Sequence, residues 1–376
     1  SAVLLYCFSF LYGVSGTTLI CGNEGLGVLG IREKLAALYE ADPKSSWLLL
    51  LAPALVFILA GFGFKLAAVP FHFYAPDVYQ GTTTANAAIL AVAPKIAGLA
   101  ALLKLCVVIA PAMSNFGWQL MIVVSALTMC IGNMCALWQT NIRRLLAYSS
   151  IAHSGYMLIG VAVVMAAGAE GGKSVSGVGS SLLYLMLYSF TSIGAFSVLA
   201  FWRGGDEEVS AVDDLAGGGQ SRPLAAAFLT VFMFSFAGIP PLAGFWGKFT
   251  LFGNAVSLAM SPEDHTRQTW FSILAVIAAL NAAIGAAYYL RVVSTLYFKK
   301  PVEAAALTPA WRRPSFASAI VCLILVLGLG LYTRPAVKLA GDAEQSLYPT
   351  DLAISLSEDS ATTEAAALTQ AAVSSR

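Results

Sequence analysis

The sequence predicts an all-α, polytopic membrane protein of about nine transmembrane helices, two of them broken in mid-membrane. Three observations lead there. The chain is 58% hydrophobic and only 11% charged, with a mean hydropathy of +0.77, whereas soluble domains run near ~45–50% apolar and ~25% charged. A soluble fold of 376 residues has no interior large enough for that apolar surface, so lipid must serve as part of the solvent. Second, apolar runs of the ~20 residues that a bilayer requires recur along the chain. Third, two of these runs are too long for one crossing and hold proline near their middles.

The runs cover residues 1–20, 46–80, 84–110, 115–138, 143–167, 178–202, 223–255, 269–298 and 315–333. Between the first two lies a charged stretch that predicts a short helix from Gly30 to Glu40. After Arg334 the chain is rich in Ala, Ser, Thr and Glu and reads as a peripheral helix or mobile tail. Alternating the spans gathers Arg143, Arg144, Arg203, Arg222, Lys299, Lys300, Arg312 and Arg313 on one side, several of them tight against span ends. Compact basic loops mark the matrix or cytoplasmic side. The net charge of +1 gives no basic surface for nucleic acid. The six cysteines form no CxxC pair and have no haem, iron–sulfur or zinc spacing, so no metal or cofactor is expected.

Runs 46–80 and 223–255 carry Pro70 and the pair Pro240–Pro241, with Gly61, Gly63, Gly238 and Gly244 nearby. Proline removes a helical N–H and clashes with the preceding turn. In lipid, the freed backbone groups are tolerated only where protein or a water-filled cavity satisfies them. Two interrupted helices in different halves of one chain point to an inverted-repeat transporter; two merely kinked helices are the alternative.

The chemistry is carried by lysines. Insertion scales put lysine at a helix centre near ~2.5–3.5 kcal/mol, yet Lys65 precedes Pro70 by five residues, Lys95 sits mid-span after Pro94, and Lys248 follows Pro241 by seven. A lysine taken out of water can load and release a proton near neutrality, which arginine cannot. The alternative is a structural ion pair between helices. Lys104, nearer a span end, is expected to snorkel. His72, after the first break, and His153, among Ser149, Ser150 and Ser154, are candidate proton carriers; hydrogen-bonded packing is the competing role. Asp77 is a candidate half-helix cap and His265 a solvated loop residue.

The motifs Phe64-Lys65-Leu66, Pro70-Phe71-His72, Pro76-Asp77-Val78-Tyr79-Gln80-Gly81 and Ala93-Pro94-Lys95 resemble the signature of subunit 2 of respiratory complex I. So do Asn141 through Ser150, Ile151-Ala152-His153 and Phe236 through Phe245, with Lys248 at the matching offset. The resemblance runs in order over residues 1–330 and extends to the Mrp-type cation/proton antiporter subunits. Tyr74 departs from it, standing where the family usually has tryptophan.

The resemblance implies an antiporter-like fold of two inverted five-helix repeats. Residues 1–110 would be three spans of the first repeat, 115–298 the second, 315–333 a C-terminal transmembrane helix and 334–376 the tail. It implies a proton-translocating membrane-arm subunit of NADH:ubiquinone oxidoreductase, with redox chemistry in other subunits. Plastid and bacterial relatives share the motifs; the mitochondrial inner membrane is the expected location because a chain opening on Ser1 without an initiating Met suggests import and processing. Lys65 would be the first-repeat pumping lysine, Lys95 the central connector and Lys248 the residue nearer the exit. All three are expected to face the protein interior at one membrane depth. Partners would be lipids, the other membrane-arm subunits and a separate polypeptide that supplies further N-terminal helices and an acidic residue against Lys65. No Asp or Glu lies in spans 1–20, 46–76 or 84–110 to pair with it. The rival functions are a stand-alone or Mrp-type cation/proton antiporter and a scaffold subunit whose relay is inactive.

Overall fold

The computed structural model describes residues 2–20, 22, 29–41, 50–112, 117–167, 176–202, 209–260, 264–300 and 313–347. Cys21, the start of the 46–80 run, Lys173, Arg203, Arg312 and the tail beyond 347 lie outside the described residues.

The regular elements among the described residues are helices, in the order α1 (Ala2–Ser15), α2 (Ile31–Ala41), α3 (Leu51–Leu66), α4 (Tyr74–Gly81), α5 (Thr84–Ile109), α6 (Gly117–Leu137) and α7 (Ile142–Ala167). There follow α8 (Gly177–Trp202), the short α9 (Gly218–Ser221), α10 (Pro223–Ala237), α11 (Ala243–Ala259), α12 (His265–Phe298), α13 (Arg313–Leu331) and α14 (Arg334–Gln345). Six of them, α5, α6, α7, α8, α12 and α13, are long and apolar enough to cross a membrane. Three shorter apolar helices, α1, α3 and α10, complete the nine runs seen in the sequence. The first run differs from expectation: its helix is 14 residues long and stops at Ser15, where Gly16 takes the left-handed conformation at φ 64.

Both long runs break where their prolines predict. In the first, α3 ends at Leu66, Ala67 turns left-handed at φ 54, and helix resumes at Tyr74. In the second, α10 ends at Ala237, Gly238 turns left-handed at φ 86, and helix resumes at Ala243. Side chains of neighbouring helices take up the freed polar groups. Tyr74 Oη donates to Phe64 O at 2.7 Å, Ser154 Oγ donates to Leu66 O at 2.6 Å, and Val69 N–H donates to Thr128 Oγ1 at 3.1 Å. No lipid-facing backbone could be satisfied in this way.

The helix α7 is the core of the bundle. Its apolar window is 94% buried, against 22% for α13 at the periphery. Small residues let its backbone approach its neighbours. A Cβ on Gly132 of α6 would stand 2.6 Å from Ala152 N, and one on Gly160 would stand 2.6 Å from Gly177 O.

One end of the bundle collects the basic loops. Arg144 pairs with Asp77 at 2.7 Å, Arg143 donates to Thr82 O at 2.6 Å, Arg291 holds Leu137 O and Gln139 O, and Lys299 pairs with Asp213. Asp77 therefore does not cap a half-helix; its carboxylate is turned to the Arg144 guanidinium. Lys104 is exposed. His265 is the first residue of α12, whose cap is the neighbouring Asp264 carboxylate, accepting from Thr266 and Arg267 amides.

Candidate functional site: a buried lysine–histidine–tyrosine line

The second break presents its last helical carbonyls to Lys248. With α10 ended at Ala237, the C=O groups of its final turn have no intrahelical partner. Lys248, one turn into α11, donates to Phe236 O at 2.9 Å and Ala237 O at 3.0 Å. The cation also sits at the negative end of the α10 dipole. Gly238 is required here, because a Cβ would stand 3.0 Å from Lys248 Cδ on a backbone at φ 86.

Lys95 reaches the bundle interior from α5. Its ammonium donates to the Ser150 carbonyl and to Ser154 Oγ, the latter at 2.6 Å. Ser154 in turn bonds Leu66 O, so a single hydroxyl joins Lys95 to the end of α3 beside Lys65. Lys248 lies 5.2 Å from the Tyr156 ring centroid and Lys95 5.2 Å from that of Tyr188. Tyr156 follows Ser154 by two residues on α7, so both lysines contact the same stretch of that helix. Lys95 is 2% exposed and Lys248 6%.

His153 lies between them, 3% exposed. Its Nδ1 meets Tyr184 Oη at 2.6 Å and its Nε2 meets Tyr289 Oη at 2.9 Å. Tyr289 continues to Ser149 Oγ. Tyr188 donates to Ser150 Oγ at 2.9 Å, and Tyr79 lies 3.3 Å from the same hydroxyl. A second polar string runs from Tyr288 Oη to Asn133 Oδ1 at 3.0 Å and from Asn133 Nδ2 to Asn281 Oδ1 at 3.1 Å. Beside His153 a cavity of ≈ 10 Å³, bordered by Tyr184, Thr191 and Ser235, has room for about one water.

The electrostatics are one-sided. The helices α5, α7, α8, α10, α11 and α12 contain no Asp or Glu. Among the described residues Lys95 and Lys248 bond only carbonyl and hydroxyl oxygens. Such partners solvate an ammonium without locking it into an ion pair.

Two expected members stand apart. Lys65 is exposed, not interior. It lies in the last turn of α3, over Gly98 of α5, whose Cβ would come 3.2 Å from Lys65 Cβ. Only the backbone next to it joins the buried line. His72 is buried, but its Nδ1 has no hydrogen-bond partner among the described residues, and its ring lies 4.3 Å from that of Phe73. Sequence reasoning missed Tyr184, Tyr188, Tyr289, Asn133 and Asn281. The available signal was weak: Tyr184 and Tyr188 are spaced i, i+4 on α8, and Asn281 interrupts an apolar span.

Residues 1–263 match the family described as NADH:quinone oxidoreductase/Mrp antiporter, TM. The chain is 37% identical over 353 residues to NADH-quinone oxidoreductase subunit N of Paramagnetospirillum magneticum, covering 93% of this chain and 65% of that protein. It is 42% identical over 301 residues to the subunit N of Trichlorobacter lovleyi, covering 80% of this chain and 55% of that protein. The chain thus spans between 55% and 65% of the length of these curated relatives. A chain of respiratory complex I from Thermus thermophilus superposes with a TM-score of 0.66 at 30% identity, over 90% of this chain and 65% of that one. A chain of the Mrp complex from Dietzia sp. gives a TM-score of 0.70 at 20% identity over 94% of this chain and 67% of that one, a likeness of fold alone. With this match over residues 1–263, and with both helix breaks formed where the motifs place them, the chain belongs to the NADH:quinone oxidoreductase/Mrp antiporter transmembrane family.

Proposed function

We propose that this chain is a proton-translocating membrane-arm subunit of an NADH:quinone oxidoreductase, with the electron transfer to quinone in other subunits. The observation that carries the reading is the pair of buried ammoniums on either side of His153, each solvated by oxygens and neither held by a carboxylate among the described residues. A scaffold would have no reason to keep such groups, since apolar residues of similar volume stabilise a membrane interior as well or better.

In this reading Lys95, which donates to Ser154 Oγ, is the central connector and exchanges protons with His153 through intervening water. His153 passes them towards Lys248, the last buried carrier. Lys65 is the first-repeat lysine. Its exposure on α3 supports a partner helix against it, bringing an acidic residue from another polypeptide or from a longer form of this chain. His72, buried beyond the first break, belongs to the intake side. The repeats divide at 1–110 and 115–298, with 315–333 as a separate C-terminal helix and 334–376 peripheral. The end that gathers Arg143, Arg144, Arg222 and Lys299 faces the cytoplasm or matrix. The relatives named above are bacterial, so the mitochondrial inner membrane expected from sequence has no support from them; an energy-coupling membrane is the placement proposed.

The second reading is an Mrp-type cation/proton antiporter subunit, favoured by the shared fold. Affinity purification from native membranes under mild detergent separates the two. Co-isolation with NADH-oxidising activity is the expected result. Co-isolation with cation/proton antiport activity and no NADH oxidation would favour the rival.

A further inference from the structure

Two asparagines lie in the bundle interior outside the route proposed above. Asn133 of α6 is 1% exposed and Asn281 of α12 3%. A buried amide is costly unless its polar groups find partners, and here both nitrogens and both oxygens are engaged. Asn281 Nδ2 donates to Ile277 O at 2.9 Å, one turn back on its own helix, and to Cys130 Sγ at 3.3 Å. Its Oδ1 accepts from Asn133 Nδ2 at 3.1 Å, and Asn133 Oδ1 accepts from Tyr288 Oη at 3.0 Å. Asn133 Nδ2 also reaches Tyr156 Oη at 3.5 Å.

The direction of this string is set from one end. Ile277 O can only accept, so the Asn281 nitrogen faces it and the Asn281 oxygen turns to Asn133. Asn133 must then present its nitrogen to Asn281 and its oxygen to Tyr288, which commits the single Tyr288 proton to Asn133. A side-chain amide does not titrate, so the string orients its neighbours and does not conduct.

Both neighbours are tyrosines that touch the buried line. Tyr288 packs on Tyr289 with ring centroids 4.4 Å apart, and Tyr289 Oη meets His153 Nε2 at 2.9 Å. The Tyr156 ring lies 5.2 Å from Lys248 Nζ and 6.2 Å from the ring of Tyr184, whose hydroxyl meets His153 Nδ1 at 2.6 Å. The two tyrosines bonded to Asn133 thus back the two bonded to His153.

We infer that Asn133 is a positioning residue for proton transfer between His153 and Lys248. It anchors the phenol ends of Tyr288 and Tyr156. That fixes the ring facing the Lys248 ammonium and the ring behind the His153 partner Tyr289, while Asn281 sets the orientation of the Asn133 amide. The inference rests on the proton-translocating reading above.

The test uses the assembled complex in membrane vesicles, with proton transfer per assembled complex and the thermal midpoint in detergent as readouts. Asn133→Leu keeps the shape but leaves Tyr288 and Asn281 without their partner. The triple variant Asn133→Leu, Asn281→Leu, Tyr288→Phe replaces the whole string by apolar groups of similar shape, a change that is nearly neutral for stability. Each variant is expected to lower proton transfer about tenfold, within what misplacing a reacting group costs. The triple variant is expected to keep the wild-type midpoint, so that its lost transfer does not report lost packing. Wild-type transfer by the triple variant, with Lys248→Ala impaired, would overturn the inference and leave the asparagines as a clasp between α6 and α12. Failure of the triple variant to assemble would overturn it too, by making the string a requirement of the fold. Wild-type transfer by both the triple variant and Lys248→Ala would instead overturn the proton-translocating reading itself.

Discussion

Replacing Lys95 with methionine is expected to reduce proton transfer through this chain by about 100-fold, the lower end of what one positioned proton-transfer group contributes, while the protein still folds and assembles. Methionine fills much of the same volume and has no exchangeable proton. The groups it abandons remain satisfied. Ser154 Oγ still donates to Leu66 O at 2.6 Å and can share Ser150 O at 3.2 Å. Removing a buried cation that has no carboxylate partner leaves no uncompensated charge behind, so stability is unchanged or raised. Proton flux in vesicles, set against the amount of assembled complex, measures both halves of the expectation. Loss of assembly with Lys95→Met would mark a structural lysine.

Gly155→Leu is expected to do the opposite, removing the fold before the chemistry. A Cβ at Gly155 would stand 2.7 Å from Met129 N and 3.0 Å from Ser125 O. These are backbone atoms of α6, so no side-chain rotation relieves the clash. Overpacking in a core costs about 1–3 kcal/mol where side chains can shift, and more where two helices must separate. The separation would also break the Ser125 Oγ bond to Gly155 O at 2.8 Å and displace His153 and Ser154 from their partners. Thermal unfolding in detergent should show a large fall in midpoint for Gly155→Leu. Gly328→Ala, where an added Cβ meets nothing within 4 Å, should leave it unchanged.

The parts of this molecule legible in sequence are those that violate a local rule. Proline in a long apolar run contradicts a straight helix, and both breaks formed at Pro70 and at Pro240–Pro241. Lysine in lipid is costly enough to require a reason, and Lys95 and Lys248 are buried beside His153. The parts that escaped obey every local rule. Tyr184, Tyr188 and Tyr289 read as core aromatics within apolar spans, and only the packing of α8 and α12 around α7 turns their hydroxyls towards His153 and Ser150. Lys65 shows the opposite limit. Its break and its cost in lipid were readable, but its surroundings depend on what covers the outer face of α3, which its own neighbours in the chain do not determine.

The central claim is that the buried lysines exchange protons and do not merely hold helices together. Lys248→Arg tests it most directly. Arginine carries the same charge and has donors enough for the Phe236 and Ala237 carbonyls, but it does not give up its proton in a protein. The measurement is the number of protons moved per NADH oxidised, in proteoliposomes holding the assembled complex. A lowered ratio with assembly intact is the result predicted; a wild-type ratio would contradict the relay.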